Sequence, residues 1–265
     1  MTNGFLVVDK PNGVTSHDVV AKKRKELNTR KIGHAGTLDP MATGVLVLGI
    51  GDGTRLLQYI TAGIKAYDAT VKLGQLTSSD DKESEVIETT EIPADIHGAF
   101  AKQVGKIMQK PSSVSAIRID GKRAYDLVRE GVAVDIPARE VEVFEIIVNE
   151  IRGTEVDISV KCSAGTYIRA IARDCGGHLT SLRRTQVGIF DLTMADKLMS
   201  VAEVATKIFS PRQLDMHEAS EMKFGRNIQA SGVAGIVAAI TPQGELAALL
   251  EDKDGMAKPF AVFIK

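Results

Sequence analysis

The sequence predicts a protein that contains both strands and helices around a sizeable core. Short apolar runs bounded by turn residues indicate strands at 5–9 and 45–50. Between them, Thr15 or Ser16 can cap a helix that extends to about Leu27, with an aspartate in its first turn. The chain has 265 residues, of which 44% are hydrophobic, so it is long enough for one large domain or for a large domain and a small one.

The elements that follow are predicted from the same periodicities. They are a helix over 54–62, a strand over 67–73, helices over 93–107 and 124–129, strands over 141–148 and 156–162, and a helix that begins after Gly165. In the strand over 67–73, apolar and polar residues alternate, which places Tyr67 on the buried face. An aromatic residue on such a face is usually part of the core, so the pattern alone gives Tyr67 no functional role.

The pattern changes in the last fifth of the chain. Three short apolar runs, at 233–240, 246–250 and 260–264, are separated by turn residues and follow a helical stretch. Runs of this length with turns between them are typical of strands. We therefore predict a large domain over 1–210 and a small β-rich domain over 211–265.

Composition limits the classes of protein to which the chain can belong. The formal net charge is −1, and no apolar run reaches the ~18 residues that a membrane span needs. The start of the chain goes directly into a strand-like segment, so we predict no signal peptide. Cys162 and Cys175 make neither a disulfide framework nor a metal-ligand set, which fits a reducing cytoplasm. Nucleotide-binding loops and metal-ligand spacings are missing from the sequence, so we expect no cofactor and no metal.

One stretch, 33–44, carries the strongest signal of chemistry. Its one carboxylate, Asp39, lies between two glycines and precedes Pro40, which steers it away from the helical conformation. The strand at 45–50 follows directly, and loops held by rigid elements are where catalytic groups are often found. An aspartate is an anion at neutral pH and can act as a nucleophile without a separate base. Most Asp-Pro pairs only form turns, however, so the residues alone leave both roles open.

Basic residues are concentrated in one segment, 22–31, where only Glu26 opposes them. They are Lys22, Lys23, Arg24, Lys25, Arg30 and Lys31. Such a run is more often a solvated helix face than a binding patch. Next to an RNA site, the binding interpretation would be favoured instead.

Two motifs resemble those of a known family. The stretch 33–44, GHAGTLDPMATG, and the upstream stretch 4–16, GFLVVDKPNGVTS, resemble in order and spacing the N-terminal motifs of the TruB family, the tRNA pseudouridine-55 synthases. The resemblance implies the pseudouridine-synthase fold, an α+β domain around a mixed, mainly antiparallel central sheet, followed by a small β-rich PUA-like RNA-binding domain. The large domain, 1–210, is then the catalytic one.

The same resemblance implies a function. It indicates an isomerase that converts uridine 55 in the T-loop of tRNA to pseudouridine, using an aspartate nucleophile on a base flipped out of the stack. No cofactor and no metal are implied. The expected partner is the T-arm stem-loop of tRNA. We expect a cytoplasmic monomer with no obligatory protein partner and no membrane contact.

The resemblance also implies roles for individual residues. Asp39 matches the catalytic aspartate, and Tyr67 matches a tyrosine that packs against the base and takes part in proton transfer. Arg169, in the motif Gly-Thr-Tyr-Ile-Arg, matches an arginine that is ion-paired with the aspartate. Substrate-binding or supporting roles are implied for His34, Tyr167, Leu182, Lys10 and Asp81. Contacts with the RNA backbone are expected from Lys22, Lys23, Lys25, Arg30 and Lys31.

Some alternatives stay open at this stage. Relatives have more residues between Asp174 and Gly176 than this chain, and the region 205–210 is similarly short, so either these loops are shortened or the sequence lacks residues there. The fold could also serve a non-catalytic RNA-binding or tRNA-folding protein, although the intact set of site residues argues against it. A third hypothesis is the RNA-guided relative of this family, which works in a multiprotein particle.

Overall fold

The computed structural model describes residues 2–112, 118–119, 122–123 and 136–264. The helix predicted over 124–129 lies outside these ranges. Within them, no helix is both long enough and apolar enough to cross a membrane.

Helices and strands alternate along the described chain. The helices are α1 (Ser16–Glu26), α2 (Leu57–Thr61), α3 (Ile96–Ala101), α4 (Ile168–Asp174), α5 (Val201–Ile208) and α6 (Met216–Lys223), with 3₁₀ turns at Gly51–Leu56 and Leu192–Met194. The strands are β1 (Gly4–Lys10), β2 (Ile32–His34), β3 (Thr43–Ile50), β4 (Lys65–Leu73), β5 (Gln75–Thr77), β6 (Val86–Thr89), β7 (Gly105–Gln109), β8 (Arg118–Ile119), β9 (Lys122–Arg123), β10 (Arg139–Arg152), β11 (Glu155–Cys162), β12 (Gly177–Val187), β13 (Phe190–Asp191), β14 (Leu198–Met199), β15 (Ser210–Gln213), β16 (Ile228–Gln229), β17 (Ile236–Ile240), β18 (Leu246–Lys253) and β19 (Met256–Val262).

The main body is a ten-stranded sheet, counted over the described residues. Its order is β14-β1-β3-β12-β4-β11-β10-β7, with β2 beside β3 and β13 beside β12. The strand pairs are antiparallel except for β3 and β12, which run parallel. Parallel neighbours need a long connection, and here it contains every element from α2 to α4. The mixed, mainly antiparallel sheet that the sequence resemblance implied is therefore confirmed.

Helix α1 begins where local chemistry predicts it. The Thr15 side chain accepts a hydrogen bond from the Asp18 amide, and the Asp18 carboxylate accepts one from the Thr15 amide, which makes a capping box. Val19 and Val20 face the sheet and are buried, whereas the basic side chains of the helix point towards solvent. The helix thus packs one narrow apolar face and leaves the rest hydrated.

The predicted helix over 93–107 is wrong in its second half. Only Ile96–Ala101 is helical, and the chain then turns at Gly105, which has a φ of +102°, to enter β7. Strand β7 pairs with Arg139–Val143 of β10 across the edge of the sheet. Hydrogen bonds to a distant strand therefore override the local helical pattern, an outcome that a short apolar run cannot reveal by itself.

Two helix-to-strand connections are as short as the sequence requires. After α4, only Cys175 and Gly176 precede β12, and the Gly176 amide donates to the Arg173 carbonyl at 2.8 Å. The Gly176 carbonyl in turn accepts from the Gly74 amide at 2.9 Å. Similarly, only Phe209 lies between α5 and β15. Backbone hydrogen bonds close both connections, the second through the Phe209 amide, which donates to the Ala205 carbonyl at 2.9 Å.

The last part of the chain forms a second sheet. Its order is β15-β17-β18-β19-β16, and β15 runs parallel to β17. Apolar side chains of α5, β17 and β18, among them Val204, Ala238 and Leu249, pack in one cluster with Phe5 and Val47 of the main sheet. The β-rich C-terminal domain is confirmed, while its boundary after residue 210 stays a prediction.

Candidate active site

Two strands bring the loop at 35–42 to the centre of the sheet. The loop leaves β2 at residue 34 and enters β3, where Gly44 lies opposite Arg184 of β12. Gly44 has a φ of +99°, and a Cβ atom there would lie 2.1 Å from the Arg184 carbonyl oxygen. Only glycine fits this close approach of two backbones. The loop is therefore fixed at its C-terminal end by strand pairing.

Side chains from the first motif hold the middle of the loop. The Ser16 hydroxyl accepts from the Leu38 amide at 2.8 Å and donates to the Leu38 carbonyl at 3.1 Å. The Lys10 ammonium donates to the carbonyls of Pro11 and Pro40 at 2.9 and 3.2 Å. Burial lowers the pKa of Lys10, while the charge of Asp39 opposes that change. Lys10 thus lies against the loop backbone, as the resemblance implied.

The Asp39 carboxylate forms an ion pair with Arg169. The distance from Arg169 Nε to Asp39 Oδ2 is 3.0 Å, and the two side chains are 5% and 37% exposed, respectively. Arg169 Nη1 donates to the Ser79 carbonyl at 2.6 Å and lies 3.5 Å from Asp81 Oδ2. A buried arginine therefore holds one face of Asp39, and the other face of the carboxylate is open to the pocket.

Asp81 is buried and held on its far side. The Ser79 hydroxyl donates to Asp81 Oδ1 at 2.5 Å, and the Glu83 amide donates to the same oxygen at 3.0 Å. The charges of Asp81 and Asp39, added to partial burial, raise the pKa of Glu83. Arg169 thus lies between two carboxylates, with Asp39 on the pocket side and Asp81 on the buried side.

A cavity of about 350 Å³ opens beside the Asp39 carboxylate. Five of the residues predicted from the sequence line it: Asp39, Tyr67, Tyr167, Arg169 and Leu182. Burial raises the pKa of Tyr67, so its hydroxyl is protonated at neutral pH in the unliganded protein. The structure therefore brings the predicted carboxylate, arginine, tyrosines and leucine together in one pocket, whose size is within the range of small-ligand sites.

Tyr167 is fixed by a residue to which the sequence gave no role. Gln109, on β7, donates from Nε2 to the Tyr167 carbonyl at 3.1 Å and accepts from the Tyr167 amide at 2.8 Å. The Arg139 guanidinium lies 5.2 Å from the centre of the Tyr167 ring, within cation–π range. Gln109 is buried at the end of a strand, and this position depends on β7 pairing with β10, which the sequence did not predict.

Basic side chains dominate the rest of the pocket. Lys65, Arg139 and Arg184 line it together with Arg169, whereas Asp39 is the one carboxylate among the described lining residues. Burial lowers the pKa of Lys65 to about 8, and the nearby Arg184 charge acts in the same direction. The alternation in β4 could have identified Lys65, because Lys65 lies two residues before Tyr67 and therefore on the same buried face. The sequence assigned no role to Arg184, which is the second residue of an arginine doublet.

His34 lies next to the pocket but does not line it. Its ring contacts His17 of α1 edge to face, with ring centres 5.6 Å apart. Burial lowers the pKa of His34, so the ring is neutral at pH 7, and among the residues that the structure describes its Nδ1 atom has no hydrogen-bond partner. His34 is thus placed beside the loop at 35–42, with one ring nitrogen available.

The structure does not bring the basic cluster to the pocket. Its side chains lie on the outer face of α1 and on the turn that follows it. Lys22 and Lys23 pair with Glu26 at 4.0 and 2.8 Å, and Lys31 pairs with Asp52 at 2.9 Å. Within the part of the chain that the structure describes, Lys25 and Arg30 form no ion pair. The cluster is a separate surface, partly neutralised by its own carboxylates.

Known proteins are similar to this chain in fold and in sequence. The fold is similar to that of a solved H/ACA RNP bound to a substrate RNA containing 2'-deoxyuridine, with a TM-score of 0.72 and 23% identity, over 99% of this chain and 85% of that chain. Residues 24–168 match the model of the TruB family pseudouridylate synthase N-terminal domain. Residues 209–264 match the model named tRNA Pseudouridine synthase II, C terminal. The fold and the pocket therefore define an enzyme of the pseudouridine-synthase class.

Relatives in bacteria identify the family. The tRNA pseudouridine synthase B of Corynebacterium glutamicum is 47% identical over 274 residues, which cover 94% of this chain and 92% of that protein. The protein of the same name from an Arthrobacter species is 47% identical over 297 residues, covering 99% and 97%. The chain belongs to the TruB family of pseudouridine synthases. Because both alignments are longer than 265 residues, these relatives contain residues that have no counterpart in this chain.

Proposed function

We propose that this enzyme converts uridine 55 in the T-loop of tRNA to pseudouridine, with Asp39 as the nucleophile. One observation carries the assignment of the nucleophile: the carboxylate of Asp39 faces the pocket while buried Arg169 holds it at 3.0 Å. An arginine in this position orients the carboxylate by a charge-assisted hydrogen bond. The family names of the relatives support the substrate class, and the target position rests on the family resemblance.

The reaction is an isomerisation, so every atom of uridine is kept. Asp39 attacks C1′ of the ribose, and the bond between N1 and C1′ breaks with its electron pair on the base. The base turns in the pocket and C5 attacks C1′, which releases Asp39. The proton on C5 then leaves and N1 takes up a proton. The basic lining of the pocket favours this course, because negative charge develops on the base when the first bond breaks.

The pocket residues have distinct tasks in this proposal. Tyr67 packs against the base and takes part in moving the C5 proton, while Tyr167 and Leu182 confine the base as it turns. The uridine must leave the T-loop stack, which costs a few kcal/mol. Contacts of the base with the tyrosines return about 1–3 kcal/mol. His34, supported by His17, contacts the loop from which the base is extruded.

Supporting residues hold the catalytic loop and the RNA. Lys10 fixes the loop backbone at Pro40, and Asp81 fixes Arg169. We assign the phosphate contacts to the basic cluster at 22–31, which predicts salt-dependent binding. In this proposal the enzyme is a cytoplasmic monomer that acts on the T-arm stem-loop without an obligatory protein partner. Sedimentation of the enzyme with and without the stem-loop tests this part.

The direct test uses a T-arm hairpin labelled with tritium at C5 of the target uridine. Wild-type protein should release tritium to water, and Asp39→Asn should release none while binding the hairpin with an affinity similar to that of the wild type. The control is Asp68→Asn, the same chemical change on the opposite face of β4, where the carboxylate accepts from Ser159 at 2.8 Å. This control should retain normal turnover. Normal release by Asp39→Asn would show that another group is the nucleophile.

The same assay separates the other hypotheses that the sequence left open. Tight binding of the hairpin without any release by the wild type would favour the RNA-binding or tRNA-folding protein. An RNA-guided enzyme would need a guide and partner proteins, so turnover by the isolated chain excludes it. We expect turnover, because the carboxylate, arginine and tyrosine converge on one pocket.

A further inference from the structure

Arg184 occupies the junction between the catalytic loop and Tyr67. It is on β12, where it faces Gly44 of β3 on one side and Tyr67 of β4 on the other. Although it is an arginine, it is only 1% exposed, which makes it the largest fully buried side chain in the described part of the chain. Its neighbour Arg183 points the other way, is 39% exposed and pairs with Asp9 at 2.7 Å.

The Arg184 guanidinium is hydrogen-bonded to the loop and lies beside Tyr67. It donates to the carbonyls of Val45 at 2.8 Å, of Gly36 at 3.0 Å and of Thr37 at 3.4 Å. Tyr67 is its cross-strand neighbour on β4, and both side chains line the same cavity. Arg184 thus lies between the turn that precedes Asp39 and the phenol of Tyr67.

The charge of Arg184 is not neutralised by a bonded carboxylate. In the described ranges it forms no ion pair, unlike Arg169, which contacts two carboxylates. A buried cation that is bonded only to neutral groups is costly, and an apolar residue of similar volume would often stabilise a fold better. Burial lowers the pKa of Arg184, and the interactions with Tyr67 and Asp39 oppose that change. The position is therefore better explained by a role in the reaction than by stability.

We propose that Arg184 is a positioning residue: it fixes the Tyr67 oxygen against the turn at Gly36 and Thr37, and its charge favours negative charge on that oxygen. The inference deepens the proposed function and rests on it. Once C5 has bonded to C1′, the Tyr67 hydroxyl gives its proton to N1, and the Tyr67 oxygen takes the proton that leaves C5, so the phenol is regenerated and the proton count is unchanged. Arg184 acts through Tyr67 and does not contact the reacting atoms in this proposal.

The groups around the phenol define the pH dependence to be expected. Burial raises the pKa of Tyr67, Arg184 opposes this increase, and the charge on Asp39 adds to it. The nearby Cys162 thiol is uncharged at neutral pH, because burial raises its pKa to about 11. Lys65, on the same strand, lies near Arg184, and its pKa is lowered to about 8. Removing the Arg184 charge should therefore raise the pKa of Tyr67 further, whereas loss of Lys65 or Cys162 leaves Arg184 beside the phenol.

The experiment compares Arg184→Met, Arg184→Lys and the control Arg183→Met. Single-turnover tritium release from the T-arm hairpin is measured from pH 6 to pH 10, together with hairpin binding and thermal unfolding. We expect Arg184→Met to be slower by about 100-fold at neutral pH with little change in binding, and part of the rate to return at alkaline pH. Arg184→Lys should retain more of the rate, and Arg183→Met should match the wild type.

A second variant keeps the inference falsifiable if Arg184→Met folds poorly. We compare the effect of Arg184→Lys on the rate in the wild type with its effect in the Tyr67→Phe variant. The effect should be much smaller in the Tyr67→Phe variant, because Arg184 acts through the Tyr67 oxygen. Equal losses with and without Tyr67, or a loss that is the same at every pH, would overturn the inference and leave Arg184 a structural residue. The wild-type reaction tests the proposed function separately. If the wild type releases no tritium, the proposed function is wrong, and the inference about Arg184 is wrong with it.

Discussion

Replacing Arg169 by methionine should separate its effect on stability from its effect on the reaction. Methionine keeps an apolar stem of similar shape but removes the cation between two carboxylates. Asp81 is 6% exposed, so its charge loses the partner that compensates its burial. Removing one partner of a buried pair costs about 3–5 kcal/mol. Asp39 is 37% exposed, so water compensates for most of its loss, and its share is about 0–1 kcal/mol.

We therefore expect the free energy of unfolding of Arg169→Met to fall by about 3–4 kcal/mol, because the Ser79 and Glu83 bonds continue to satisfy part of Asp81. The effect on the rate has a different origin. Asp39 loses one charge-assisted hydrogen bond, which is worth about 1.5–3 kcal/mol and corresponds to about a 10- to 150-fold slower single turnover. Urea unfolding measures the first quantity, and tritium release with saturating hairpin measures the second.

The matched control is Arg173→Met, one helical turn further along α4. Arg173 is 24% exposed and pairs with Asp80 at 3.1 Å and Asp174 at 2.9 Å, outside the described lining of the pocket. It should lower stability and leave the rate of the folded enzyme within about threefold of the wild type. If the two variants lose rate equally, Arg169 does not orient Asp39. If Arg169→Met unfolds like the wild type, the cost assigned to Asp81 is wrong.

Three further perturbations test the loop, the pocket and the RNA surface. Gly44→Ala should lose more than about 3 kcal/mol of stability, because its Cβ would lie 2.1 Å from the Arg184 carbonyl, whereas Gly153→Ala, with open space around it, should lose about 1 kcal/mol in the same urea unfolding. The pKa of Lys65 falls from 10.5 to about 8, so between these values the unfolded chain holds a proton that the folded protein lacks. Wild-type stability should therefore rise with pH relative to Lys65→Met, by about 3 kcal/mol across that window, and parallel curves would contradict the assigned burial cost. Lys25→Gln combined with Arg30→Gln should weaken hairpin binding and reduce the slope of log K against log salt by about 1–2, more than Lys23→Gln does, because Lys23 is already paired with Glu26. An unchanged slope would mean that the basic cluster does not contact phosphates.

Local signals were sufficient where local contacts decide the structure. Helix α1 was predicted from a capping residue to about Leu27, and it spans Ser16–Glu26, because its capping box involves only Thr15 and Asp18. The alternating strand at 67–73 was also correct, apart from a start two residues earlier. The helix over 93–107 was wrong, because β7 exists only through its hydrogen bonds to β10.

The sequence alone singled out the loop to which we assign the chemistry. The glycines, the proline and the match to two family motifs singled out Asp39, and the paired motifs gave Tyr67 and Arg169. Their convergence on one pocket was an expectation from the family, and the structure supplies the distances. It also adds Gln109, which holds Tyr167 by two hydrogen bonds and to which the sequence assigned no role.

The arginine doublet shows what only the tertiary structure decided. Arg183 and Arg184 are the same residue type, side by side, and nothing local distinguishes them. The parallel pairing of β12 with β3 and the antiparallel pairing with β4 place Arg184 under the loop and leave Arg183 beside Asp9. Successive side chains of a strand point to opposite faces, so the register between distant strands determines which of the two charges is buried.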